Sequence, residues 1–146
     1  MTGKEYLCAV QDKDKEITVQ KEHIEALRSV LESIGVKIGD ERVQSTSDPD
    51  KFGKIFAQID EEERKLLRME EDFVLYKVDV INAIKKVQTE KYRVLLNERY
   101  INYKSFKMIA VQMNYSYDYI LELHGKALEE FDLYSGIQYP SSKIPC

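Results

Sequence analysis

The sequence predicts an all-α protein in which a long, coiled-coil-like helical arm precedes a small helix-turn-helix unit. Three observations support this prediction. Apolar residues recur every seven positions through the N-terminal half, apolar residues near the C-terminus recur at i, i+3, i+4 spacing, and neither Pro nor Gly occurs between Lys54 and Tyr103.

The first arm helix is predicted from about residue 4 to residue 34. Its apolar residues form an a/d seam of the kind that packs against another helix: Val10, Ile17, Ile24 and Leu31 are seven apart, and Leu27 and Ile34 follow two of them by three. Lys13 and Gln20 are polar breaks in this seam. Residues 35–50, with the turn-forming run QSTSDPD, are predicted to be a connection.

The second arm helix is predicted to begin near residue 50. Apolar residues recur every seven positions along it, at Phe52, Ile59, Leu66, Phe73, Val80 and Val87. A second apolar set lies three residues after these positions, and Glu62 is its one polar interruption. Such a helix is too long for one compact core, so its stripe must face a second helix. The partner is either the first arm helix of the same chain or the same helix of a second copy. The second arrangement makes a homo-oligomer, a dimer or larger, and this is the state expected for the protein.

A helix-turn-helix unit is predicted over residues 89–134. Thr89 breaks the apolar rhythm, Ser105 can cap the middle helix, and Ser116 can cap the last one through its hydroxyl. Asn114 stands where the middle helix must stop, since Asn tolerates the left-handed conformation. Residues 1–88 are thus assigned to the arm, and residues 135–146 to a flexible tail.

The motifs of this unit resemble a known family. The runs L-N-E-R-Y-I, S-F-K-M-I-A, N-Y-S and I-L-E-L-H-G-K-A-L, in this order, are similar to region four of bacterial sigma factors. They resemble more closely the phage and prophage transcriptional regulators of the ArpU type from Gram-positive bacteria. The resemblance implies sequence-specific DNA binding, control of late genes, and host RNA polymerase as a further partner.

The position of the last helix predicts which residues meet double-stranded DNA. In a helix-turn-helix the second helix of the motif lies in the major groove. The predicted DNA-binding residues are Ser105, Lys107, Ser116, Tyr117, Asp118, Tyr119, Leu121, Glu122 and Lys126. Arg99, Lys104 and Lys107 are predicted to support phosphate binding from the flanking helices.

The charge of the unit departs from that of sigma-like relatives, which carry arginines at the start of this helix. From residue 89 onward the chain has seven basic and seven acidic side chains. Few phosphate contacts are therefore available to one chain. An alternative hypothesis is that an exposed tyrosine cluster docks on a protein, such as a polymerase subunit or a packaging component of the small-terminase kind, with little DNA readout. This cluster consists of Tyr100, Tyr103, Tyr115, Tyr117 and Tyr119.

Two residues of the last helix leave alternatives open. His124 adjoins the apolar stripe, where it either packs as an ordinary imidazole or contacts a phosphate. Gly125 costs about 1 kcal/mol relative to Ala inside a helix. Close approach of another backbone, from the middle helix or from DNA, would explain it.

Composition and motifs indicate a protein that is not an enzyme. The chain has two histidines far apart, no Gly-rich phosphate loop and no nucleophile motif, so no catalytic residue, cofactor or metal site is predicted. Cys8 and Cys146 are expected to be free thiols. The net charge of −4 argues against bulk coating of nucleic acid. With no signal peptide or membrane span expected, the predicted location is the cytoplasm of the host bacterium.

Overall fold

The computed structural model describes residues 1–33 and 49–138, and their regular elements are all helices. In chain order these are α1 (Gly3–Ser33), α2 (Pro49–Lys85), α3 (Glu90–Leu96), a π-helical turn (Asn97–Ile101), α4 (Phe106–Met113) and α5 (Tyr117–Tyr134). The predicted all-α class is confirmed. Most of the predicted connection lies outside the described residues, and its last two residues belong to α2.

The chain divides into two compact units at places that differ from the predicted boundary at residue 88. One unit contains residues 1–14 together with the chain from residue 73 onward, and the other contains residues 15–72. The start of α1 and the last part of α2 therefore belong with the helix-turn-helix rather than with a separate arm. The physical reason is a shared core, since Leu7 and Val80 are buried in the same apolar cluster as Phe131.

In the unit of residues 15–72, the seam closes between α1 and α2 of the same chain. Ile24 and Leu31 of α1 share a buried cluster with Ile59 of α2. The polar breaks in the two stripes pair with each other: Gln20 Nε2 donates to the Glu62 carbonyl at 3.0 Å and to its carboxylate at 2.6 Å. Of the two arrangements the sequence left open, the intrachain one is present here.

Ion pairs flank this seam. Arg28 forms an ion pair with Glu63, and Lys21 Nζ lies 3.3 Å from a carboxylate oxygen of Glu70. Both pairs are partly exposed, so each adds at most about 1 kcal/mol. The buried apolar residues therefore account for most of the packing in this unit.

In the other unit, the start of α1 packs against the end of α2 and against α5. The Tyr76 hydroxyl donates to the Tyr6 carbonyl at 2.7 Å, and the Tyr6 ring stacks on Phe131 with centroids 6.4 Å apart. A Thr-x-x-Glu capping box begins α1: Thr2 N–H donates to the Glu5 carboxylate at 2.9 Å, and Glu5 N–H donates to the Thr2 hydroxyl at 3.3 Å. The chain's first residues are thus held in place.

The predicted flexible tail begins too early. Ser135 is buried, and its carbonyl accepts a hydrogen bond from Lys86 Nζ at 3.4 Å. Gly136 has a φ of 68°, which L side chains rarely adopt, and Ile137 packs against the core. Residues 139–146 lie outside the described residues.

The cysteines also differ from expectation. Cys8 is disulfide-bonded, so the prediction of free thiols is wrong for this residue. Cys146, the other cysteine of the sequence, lies outside the described residues. Cysteine usage therefore gives no support to a reducing compartment.

Within the two described ranges, none of the helices combines the length and the apolar composition that crossing a membrane requires.

The buried inner face of α5 should dominate the stability of its unit. Phe131→Ala removes a fully buried ring and should lower the free energy of unfolding by about 3–5 kcal/mol. Leu133→Ala, on the same helix but 78% exposed, is the matched control and should change it by less than about 0.5 kcal/mol. Denaturant unfolding measures both. If Phe131→Ala does not fold, Phe131→Leu is used instead, with a smaller expected loss of unfolding free energy. Equal losses at positions 131 and 133 would contradict the dominant role of the buried face.

Candidate nucleic-acid interface

A left-handed turn separates α4 from α5. Asn114 has φ 60° and ψ 40°, which ends α4. The Tyr115 N–H then donates to the Ala110 carbonyl at 3.0 Å, and the Asn114 N–H to the Val111 carbonyl at 3.3 Å. These two bonds form a Schellman motif, which satisfies carbonyls left open at a helix end. The predicted stop at Asn114 is present in the structure.

Serine hydroxyls cap both helices of the motif. The Ser105 hydroxyl accepts from Met108 N–H at 3.2 Å, and the Ser116 hydroxyl accepts from Tyr119 N–H at 3.2 Å. Each serine thus satisfies one unpaired donor at a helix N-terminus. Both were predicted to bind DNA, and in the free protein both hydroxyls serve as caps.

The preceding turn, between α2 and α3, is held by side chains from two helices. Glu130 of α5 accepts from Thr89 N–H at 3.2 Å and from the Thr89 hydroxyl at 3.0 Å. The Arg93 guanidinium donates to the Val87 carbonyl at 2.6 Å and to the Gln88 carbonyl at 3.0 Å. The predicted break at Thr89 is therefore a fixed turn, and it positions α3 beside α5.

The two faces of α5 are clearly different. Its inner face is buried and consists of Ile120, Leu123, Ala127 and Phe131. Its outer face is exposed and brings together most of the predicted DNA-binding residues: Tyr117, Asp118, Leu121, Glu122 and Lys126. The first turn of α5 is therefore accessible to a ligand in the free protein.

Tyr119 does not share this exposed face. It is half-buried, packs against the apolar core and meets the Tyr115 ring edge-on, with centroids 4.9 Å apart. This position does not favour the predicted DNA-binding role of Tyr119, because its ring packs beside the turn instead.

Two of the predicted supporting charges are occupied within the protein. Lys104 forms an ion pair with Glu98 and donates to the Gln112 side chain at 2.9 Å. Arg99 lies over the Phe106 ring at 4.1 Å and donates to the Lys104 carbonyl at 3.1 Å. The hydrogen bond from Lys104 lowers the pKa of the Glu98 carboxyl, and burial opposes this effect. Both cations therefore stabilise the turn before α4.

The remaining cations lie at the surface. Lys107 is exposed and has no ion-pair partner among the described residues. Lys126 Nζ lies 3.4 Å from the Glu122 carboxylate, but both side chains are exposed. An exposed pair of this kind is weak, so Lys126 can exchange Glu122 for another anion at little cost.

An apolar component of the surface was missed at the sequence level. Met108 and Val111 of α4 are exposed, and Val111 has 80% of its side chain in solvent. Leu121 is exposed as well. Of the predicted tyrosine cluster, Tyr115 and Tyr117 are exposed, whereas Tyr100 is buried and Tyr103 and Tyr119 are half-buried. The available signal was the spacing of α4, where Met108 and Val111 fall on the face opposite to Ile109.

His124 belongs to a packed aromatic cluster. Its Nε2 lies 2.7 Å from the Tyr100 hydroxyl, and its ring meets the Phe106 edge with centroids 4.7 Å apart. Of the two alternatives for this residue, packing fits the structure and a phosphate contact does not, because Nε2 is already paired. The cluster joins the π-helical turn, α4 and α5.

Burial keeps this cluster uncharged. Burial, together with smaller contributions from the positive charges of Lys4 and Arg99, lowers the pKa of His124 to about 4. Burial also raises the pKa of Tyr100 to about 12, against a smaller opposing effect of Arg99. A neutral imidazole therefore accepts the hydrogen bond that the Tyr100 hydroxyl donates.

Tyr103 connects the start of α1 to the turn before α4. It has a φ of 58°, unusual for a residue other than Gly. Burial raises the pKa of its phenol to about 12, and the neighbouring Asp14 carboxylate contributes in the same direction.

Gly125 lies on the exposed face of α5, and an added Cβ would meet no atom within 4 Å. The packing of α4 therefore does not require this glycine. Close approach of α4, one of the two explanations that the sequence left open, is therefore wrong, and approach of a DNA backbone stays a prediction.

Within the described part of the chain, no group of three or more His, Cys, Asp or Glu side chains is placed to hold a metal ion. Comparison with protein-family models, with curated proteins and with solved structures finds no match.

The buried imidazole predicts a specific pH dependence. Because the folded pKa of about 4 lies below the ordinary value of 6.5, the folded protein binds this proton more weakly than the unfolded chain. The stability from His124 is therefore complete above about pH 6.5 and is lost as the pH falls toward 4. The free energy of unfolding, measured across this pH range, should fall less for His124→Gln than for the natural protein.

The exposed His23 provides the control. His23→Gln should keep the natural pH profile, because this side chain is not part of the cluster. An NMR titration that places the His124 pKa near 6.5 would contradict the buried, neutral imidazole.

Proposed function

We propose that this protein is a DNA-binding transcriptional regulator that places α5 in the major groove. The observation that carries the proposal is the exposed first turn of α5, which is capped by Ser116 and follows the left-handed turn at Asn114. This is the arrangement in which a helix-turn-helix protein offers its second helix to base edges.

The chemistry of the outer face suggests what is read. Asp118 and Glu122 are acceptors that suit the amino group of cytosine, and Leu121 suits the methyl group of thymine. Tyr117 provides a hydroxyl and a flat ring beside them. The open space above Gly125 leaves room for a nucleic-acid backbone to approach the helix closely.

Phosphate binding would come from few groups. The capped N-terminus of α5 offers backbone N–H groups, and Lys107 and Lys126 offer positive charge at the surface. With so few cations, one chain binds weakly. A second copy or host RNA polymerase would supply the remaining affinity.

The resemblance to phage and prophage regulators of the ArpU type supports late genes as the target, in the cytoplasm of a bacterial host.

Selection of bound DNA from a random pool by the full-length protein tests the proposal. The selected sequence should bind more tightly than random DNA, and its affinity should fall with salt. Lys107→Glu and Lys126→Glu should each weaken binding to all sequences and reduce the salt slope by about 1. Glu122→Gln should instead alter the preference at one base pair.

Lys54→Glu is the matched control, because it makes the same change of charge on α2, outside the helix-turn-helix. It should leave DNA affinity nearly unchanged. Equal affinity for selected and random DNA at every salt concentration would overturn the proposal.

A second candidate function, protein docking, is favoured by the exposed apolar residues on α4 and α5. A DNA interface does not require exposed apolar side chains such as Met108, Val111 and Tyr117. Aromatic residues and Met are, however, enriched where proteins bind one another. The partner would be a polymerase subunit or a packaging component.

Paired substitutions separate the two functions. If docking is the function, Val111→Glu and Tyr117→Ala should abolish capture of purified RNA polymerase, or of a packaging protein from the same phage, while Lys107→Glu has little effect. Loss of DNA binding in the lysine variants, with no capture of either protein by the natural chain, would exclude docking.

A further inference from the structure

The last part of α2 has an apolar face that no other described helix covers. Val74, Leu75 and Val78 are 57%, 66% and 47% exposed, and Ile81 is half-buried. Val74, Val78 and Ile81 are separated by four and three residues, which is the spacing of a coiled-coil seam. This face differs from the buried seam of Val80 and Val87.

Charges at the two ends of the face have opposite signs. Glu71 precedes Val74 by three residues, and Lys85 follows Ile81 by four, so that both continue the same row along α2. Both side chains are exposed. Among the described residues, neither side chain has an ion-pair partner.

We propose that this face binds the same face of a second copy of the chain, with the two α2 helices antiparallel. Antiparallel pairing brings the Glu71 end of each helix to the Lys85 end of the other, where the charges attract. Parallel pairing would place Glu71 against Glu71 and Lys85 against Lys85, which repel. The apolar row between these ends matches itself in either direction, so the charges select the antiparallel arrangement.

A symmetric dimer is the simplest way for one surface to cover itself. A two-fold interface uses the same patch on both chains. Burial of Val74, Val78 and Ile81 on both copies removes apolar surface from water, which favours association. The dimer would also double the phosphate contacts available to the complex, but its formation does not depend on DNA.

Sedimentation of the full-length chain without DNA tests the dimer. The natural protein should change from monomer to dimer as its concentration rises. Val78→Glu should raise the dimer dissociation constant by about tenfold or more, because it places a charge at the centre of the interface. Val30→Glu changes a similarly exposed valine of α1, which is 55% exposed, and should have no effect.

Charge reversal tests the direction of pairing. Glu71→Lys and Lys85→Glu should each weaken the dimer, and the double variant should restore it, because the opposite charges then meet again with their signs exchanged. A monomer at every concentration would overturn the proposal. A dimer unaffected by Val78→Glu would overturn the assigned surface, and a double variant no tighter than the single ones would overturn the antiparallel direction.

Discussion

The burial of the inner face of α5 is the constraint on which the helix-turn-helix unit depends. An isolated helix of this length has little stability in water, so most of its stability comes from packing. Phe131 is covered by Tyr6 from the start of α1, and Tyr76 of α2 binds the Tyr6 carbonyl. The exposed face of α5 can be presented to a ligand only because the start of α1 and the last part of α2 help to cover its other side.

Local signals in the sequence predict the helix boundaries well. Ser105 and Ser116 are caps because a hydroxyl at the start of a helix satisfies an unpaired N–H, and Asn114 ends α4 because Asn tolerates a left-handed backbone. These preferences act over three or four residues and can be read without knowledge of the fold. Gln20 and Glu62 are only partly predictable in this way. The sequence shows that each is a polar residue in an apolar stripe, but it does not show that the two bind each other.

Features that depend on distant residues were not predictable from local patterns. Heptad spacing shows that Val10 and Val80 are buried, but not that they join the core of α5. Arg99 and Lys104 carry the charge expected of phosphate ligands, yet a ring and a carboxylate close to them in the fold occupy both. His124 depends on Tyr100, which lies 24 residues earlier and approaches it only after α5 has packed. In each case the sequence shows the residue type but not the residues that contact it in the fold.

The division of the first unit between the two ends of the chain has a consequence for synthesis on the ribosome. Residues 1–14 emerge well before the segment they pack against, which begins at residue 73. Until that segment has emerged, Leu7 and Val10 have no core to enter. Pairings between such distant segments form slowly, because a long loop must close before they gain any stabilising energy. The first turns of α1 are therefore expected to be a target for chaperones during translation, and to become protected only when most of the chain has been made.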